Sequence, residues 1–219
     1  MNRPMKLTTL LLLTLGVCGL SSSKAQVTPV ELSFGNPLLR ESEFVRATAQ
    51  LQKIGALEAS VSGKIAGREY QFDCIHVVDG KQTRTSMRMP FDVPFVCKSD
   101  TLRFQLVSQS IGTDSVCIVF TSPIARSCFF QIAGANQCIP METISEKALT
   151  TADPIPVMAF CQGEPVEFPM ENGAVFHGLH YCSVRDGHIH PSKWHARFKL
   201  KDYVYFEIKL TDNPAKGIK

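Results

Sequence analysis

Five of the six histidines, His177, His180, His188, His190 and His195, fall within nineteen residues. Imidazole at that density points first to transition-metal chemistry, with zinc or copper as the ion. The geometry depends on what carries the rings. Asp186-Gly187 is a dipeptide suited to a two-residue type I′ hairpin turn. Such a turn sets Arg185 opposite His188 and Ser183 opposite His190. Alternation along each strand then places His188 and His190 together on one face. His180 and His195 fall on the other face beside Cys182. The hairpin therefore supplies two sets rather than one cluster. His188-x-His190 is a two-ligand clip that needs a third group, and His180, His195 and Cys182 converge only if the strand bends at Pro191. The plainer reading is a twisted hairpin with surface or half-buried histidines. It is the favoured one, because a similar turn at Asp79-Gly80 has Lys81 and Thr83 where His188 and His190 stand.

Other chemistry has less to stand on. Cys161-Gln162-Gly163 with a downstream histidine has the residue types of a thiol nucleophile, but no third group orients the pair. Met87, Met89, Met158 and Met170 read as gap-filling residues rather than copper handlers. Trp194 reads as a packing residue. There is no phosphate-binding loop, nucleophile elbow or zincin helix. The expectation is a protein that is not an enzyme and that carries no cofactor.

The elements that must position these residues are mostly strands. Period-two alternation with frequent turn residues marks strands over Val27–Phe34, Ala56–Ile65, Glu69–Val78, Leu102–Gln109, Ser115–Phe120 and Ser127–Ile132, and a closing strand over Lys201–Leu210. Ser42 starts a short helix running to about Gln52, and Ser145 starts a second over Ser145–Ala152. Landmarks recur in order at nearly constant offset: Ser42-Glu43 with Ser145-Glu146, Asp79-Gly80 with Asp186-Gly187, and Asp100 with Asp202. The reading is an all-β protein with one short helix per copy. It has two tandem antiparallel β-sandwich-like domains from an internal duplication, over 26–122 and 141–219, with a boundary segment at 123–140.

Arg3 and Lys6, an apolar run from Leu7 to Leu20, and Ser23-Lys24-Ala25 make residues 1–25 a secretory signal peptide. Lipid attachment at Cys18 is the alternative, with Val17 large where a small residue is usual. The chain has 23 Lys+Arg and 20 Asp+Glu. Arg3, Lys6 and Lys24 leave with the leader, so residues 26–219 are formally neutral. A neutral chain without a basic run has no electrostatic footprint for nucleic acid or anionic lipid. No further apolar stretch is long enough to span a bilayer. Seven cysteines remain, an odd number without a Cys-x-x-Cys pair. Mostly buried thiols with one or two disulfides is the expectation.

The closing strand Lys201-Asp202-Tyr203-Val204-Tyr205-Phe206-Glu207-Ile208, followed by Asn213-Pro214-Ala215-Lys216-Gly217, resembles the end of the β-sandwich repeats in the C-terminal part of GldM/PorM. That family is the periplasmic shaft of the gliding and type IX secretion machinery of Bacteroidota. The Ser-Glu helical start before a strand is also similar. The resemblance covers scattered pieces of about half the chain, and it departs from the family in lacking a membrane-anchored helical part and in its many cysteines. It implies a stand-alone envelope module without catalysis, and it transfers no functional residue. The expected function is an exported, periplasmic or cell-surface-associated protein that binds another envelope protein or builds an assembly. The alternative is a periplasmic metal-binding protein using the 177–195 stretch. A hydrolase or thiol enzyme with a site assembled from distant loops stands third.

Overall fold

The computed structural model describes residues 27–87, 93–123, 125–145 and 147–214. The leader, Cys18, Met89, Glu146 and the last part of the GldM/PorM-like stretch lie outside them. In chain order the strands are β1 (Pro29–Gly35), β2 (Ile54–Gly63), β3 (Arg68–Val78), β4 (Lys81–Met87), β5 (Phe95–Val96), β6 (Thr101–Ile111), β7 (Ser115–Ser122), β8 (Arg126–Gln131), β9 (Ile139–Met141), β10 (Leu149–Thr150), β11 (Ile155–Cys161), β12 (Glu164–Pro169), β13 (Val175–His180) and β14 (Asp202–Pro214). Three short α-helices join them: α1 (Glu43–Leu51), α2 (Tyr181–Asp186) and α3 (Trp194–Phe198). The protein is all-β in class. None of its described helices is long and apolar enough to cross a membrane.

Two antiparallel sheets face each other. The first has the order β10-β1-β2-β6-β7-β8, and the second β4-β3-β14-β11-β9 with β5 also on β3. Strands of the first sheet alternate. In β6, Leu102, Phe104, Leu106 and Ser108 are buried, and the residues between them are more exposed. The central strands of the second sheet are apolar nearly throughout, because both their faces are covered. All seven residues of β11 are buried, as are Tyr203 to Ile208 of β14. Phe72, Phe104, Phe120 and Phe206 meet between the sheets, with Phe120 and Phe206 edge-on at 4.7 Å between centroids. On the outer face of the second sheet, Val184, Trp194, Phe198 and Leu200 from residues 181–200 pack on Ile75, Val77, Tyr203 and Tyr205. Ser42 caps α1, accepting the Val45 N–H at 3.3 Å.

Four expectations are corrected. The stretches 26–122 and 141–219 do not form separate sandwiches, because β14 pairs with β3 from Asp202–Val78 to Leu210–Tyr70 and the two halves share a sheet. Residues 123–140 are not a linker, since β8 completes the first sheet there. Ser145–Ala152 contains no helix among its described residues. Leu149 and Thr150 instead pair with Val30 and Pro29, while the Asp153 carboxylate accepts the Thr150 N–H and hydroxyl. The fourth correction is Asp186-Gly187, which is no hairpin turn. Asp186 ends α2, and Gly187 has an ordinary right-handed backbone (φ −69°). Glycine is required there for space, since a Cβ would lie 2.6 Å from the Phe198 ring.

Candidate functional site

Without the hairpin, the two histidine faces dissolve. His180 is exposed at the start of α2, and Cys182 is exposed on it. His188 is exposed with a left-handed backbone (φ 52°). His190 is half-buried and structural. Its Nδ1 accepts the Ser192 N–H at 3.2 Å and lies 2.9 Å from the Ser192 hydroxyl, and its ring stands edge-on to Tyr205. Burial lowers its pKa, more than Glu207 raises it. His195 Nδ1 is 2.9 Å from the Leu200 carbonyl, and its ring lies against Gly80. His177 sits on β13, 3.2 Å from Glu167. Among the described residues no three His, Cys, Asp or Glu side chains converge as a cage for a metal ion. The signal for these helices was present as apolar residues at helical spacing, Tyr181 with Val184 and Trp194 with Phe198.

Two polar constellations were not anticipated. Asp73 and Glu207 are direct partners across β3 and β14, each with a side chain 4% exposed. Arg84 Nη1 bridges them at 2.6 and 2.5 Å. Gln71 and Ser86 add hydrogen bonds to Asp73. Burial works against the Arg84 charge, but the two carboxylates outweigh it and raise its pKa. Paired carboxylates are the tools of acid–base catalysis. Here they are sunk in the sheet and committed to one guanidinium, which makes them a structural ion triad. An acid inside the apolar run Tyr203-Val204-Tyr205-Phe206-Glu207-Ile208 was the available clue.

The second constellation is His76 Nε2 at 2.7 Å from Asp202 Oδ1, with Asp202 Oδ2 accepting the Ala133 N–H at 2.8 Å. A nucleophile triad would add a low-pKa thiol or hydroxyl to such a pair. The buried thiols are shifted the other way. Burial pushes Cys74 and Cys138 up to about 12, and Asp202 adds to the rise at Cys138. Cys161 is fully buried and also raised by burial, which removes the Cys161-Gln162-Gly163 nucleophile. None of the seven described cysteines is disulfide-bonded.

One element is not used by the fold. β12 and β13 pair only with each other, with Phe168 opposite Phe176 and Glu167 opposite His177. A tight loop joins them, in which the Met170 N–H donates to Ala174 O at 2.7 Å and Gly173 has φ +80°. The root is close-packed, since a Cβ on Gly163 would lie 3.0 Å from the His180 backbone. Toward the tip, Phe168 (55%), Met170 (50%), Val175 (50%) and Phe176 (54%) are all exposed. The two phenyl rings lie 6.5 Å apart, side by side in solvent. A two-stranded hairpin alone is marginally stable in water, and the apolar side chains displayed on this one gain nothing from burial.

A cleft of about 650 Å³ lies at one end of the sandwich. Tyr70, Phe95 and Leu102 contribute apolar walls, and Lys98 and Arg103 contribute cations. Tyr70 and Phe95 stack at 5.1 Å, and burial raises the Tyr70 phenol. A second groove, about 490 Å³, runs between β1 and residues 142–149. Compared with protein-family models, with curated proteins and with solved structures, the chain matches none.

Proposed function

We propose that this chain is a non-enzymatic, exported cell-envelope protein that works as a protein-binding or structural-assembly module, with the β12–β13 arm as its contact surface. The carrying observation is the arm's tip. Four large apolar side chains are held in solvent on a hairpin that contributes to neither core cluster. A fold selected only for stability gains nothing from them there, because apolar burial is what stabilises. In the sandwich beneath, Arg84 is paired with Asp73 and Glu207, and His76 with Asp202. The hydrophobic leader supports export, and the GldM/PorM-like closing strand fits an envelope role. The test is a photo-crosslinking amino acid at position 176 in the cell that makes the protein. A discrete covalent adduct is expected, and the absence of any adduct would overturn the reading.

A further inference from the structure

We propose that the arm's partner is a second copy of this chain. The tip of one molecule enters the Tyr70–Phe95–Leu102 cleft of the next, joining copies head to tail. The inference rests on reading the arm as a contact surface, and three observations select this occupant.

The first is position. β11 leads into the arm at the end of the second sheet where Phe160 pairs with Val204 and Val204 with His76. The cleft contains Tyr70, at the other end of β3. Six residues of strand separate the two ends, about 20 Å. A protruding element at one pole and a recess at the other join copies through unlike surfaces, which builds rings or open chains.

The second is charge. The arm carries Glu164, Glu167 and Glu171, and no Lys or Arg lies between Lys147 and Arg185. The cleft lining carries Lys98 and Arg103 and, among the described residues, no acid. An acidic stem thus meets a basic rim as the apolar tip meets the apolar wall. The same charge disfavours a lipid surface as occupant, because anionic headgroups attract basic segments and repel acidic ones.

The third is chemistry and size. Tyr70 and Phe95 form the buried floor of the cleft, and the exposed Val93 and Pro94 on its wall offer apolar surface to Phe168 and Phe176. A cleft of about 650 Å³ has room for a pair of phenyl groups.

Sedimentation velocity across a wide concentration range tests the proposal, using full-length protein after export. Wild type is expected to grow in mass with concentration, and to do so less at high salt. Phe168→Asp/Phe176→Asp and Lys98→Glu/Arg103→Glu each alter only one end, and each is expected to weaken association about tenfold or more. Both pairs are surface changes, and melting curves confirm that the variants fold. The decisive measurement mixes them. The intact arm of the cleft variant fits the intact cleft of the arm variant, so the mixture forms a dimer and nothing larger. A wild type that stays monomeric at every concentration, or a mixture that stays monomeric, overturns the proposal. A monomer whose position-176 adduct has the mass of a different partner sinks self-assembly and leaves the binding module standing. Loss of every adduct sinks both.

Discussion

β3–β4 and β12–β13 are both antiparallel hairpins of consecutive strands, and the chain puts them to opposite uses. β3 and β4 are joined by Asp79-Gly80, both with positive φ (47° and 79°), as a two-residue hairpin requires. That turn is seated. The Asp79 N–H donates to Lys201 O at 2.6 Å, and a Cβ on Gly80 would strike the His195 ring at 2.8 Å. β3 turns Phe72 into the core, and β4 presents Lys81, Gln82, Thr83, Arg84 and Thr85 to solvent. A polar edge of this kind discourages pairing with other chains. The β12–β13 hairpin has no sheet to join, nothing lies within 4 Å of a Cβ built on its turn residue Gly173, and its phenyl rings face water. In the first hairpin apolar surface holds the molecule together. In the second it is left for something else.

The comparison breaks or sharpens under substitution. The largest effect should come from Phe206→Ala, which empties the ring cluster between the sheets and should cost about 3–5 kcal/mol in urea unfolding. Phe176→Ala should stay within about 0.5 kcal/mol of wild type. Equal losses would mean that the arm belongs to the core. Next, Arg84→Met strands Asp73 and Glu207 in the sheet. Half of the Arg84 side chain is exposed, so the loss should be about 2–4 kcal/mol, below the cost of breaking a fully buried pair. Adding Asp73→Asn and Glu207→Gln should recover part of it. The turn glycines compare the hairpins directly. Gly173→Ala carries only the left-handed backbone penalty, about 1–2 kcal/mol. Gly80→Ala adds a clash with His195 and should cost about 2–4 kcal/mol. Equal costs would show that the first turn is not locked by α3.

A smaller effect lies in pH. Burial depresses the His190 pKa below its ordinary value of 6.5, so the folded state binds its proton less readily than the unfolded one. This contribution is intact above pH 6.5 and is lost as pH falls below it. His190→Asn keeps an acceptor for the Ser192 N–H, so its melting temperature should fall less than that of wild type between pH 7 and pH 5. The smallest effect is chemical. A thiol reagent applied to native protein should label the exposed Cys182 first, and Cys74, Cys97, Cys138 and Cys161 only after unfolding. Cys182→Ser should remove the fast phase without moving the melting temperature.

Strands that face one core were legible because their residues alternate. β1, β2, β3, β6, β7 and β8 fall close to their expected places, as does the Ser42 cap. What failed was partnership. Local pattern identifies a strand at Lys201–Leu210 but says nothing of its neighbours, and one edge pairs with β11 of its own half while the other pairs with β3 of the first half. Asp-Gly is permissive rather than directive. At 79–80 the flanking strands make it turn, while at 186–187 Val184 and Phe198 need a helix end with a bare Cα beside it. The histidine faces inherited that error. The arm was missed because Glu-Pro-Val-Glu-Phe-Pro alternates too weakly to flag a strand, and nothing local distinguishes an exposed phenylalanine from a buried one.

The late partner of β3 has a kinetic consequence. His76 and Asp202, hydrogen-bonded in the finished protein, are 126 residues apart in the chain. A chain emerging from its N-terminal side leaves one long edge of β3 open until β14 arrives, and contacts of such range form slowly. Cys74, Cys138 and Cys161 are buried as free thiols in the folded protein, and a chain whose sheet is incomplete should expose them to solvent. In an oxidising compartment the race between strand closure and thiol oxidation then sets the yield of native protein. The protein should refold best under reducing conditions, and its dependence on a reductant should vanish once β14 has docked.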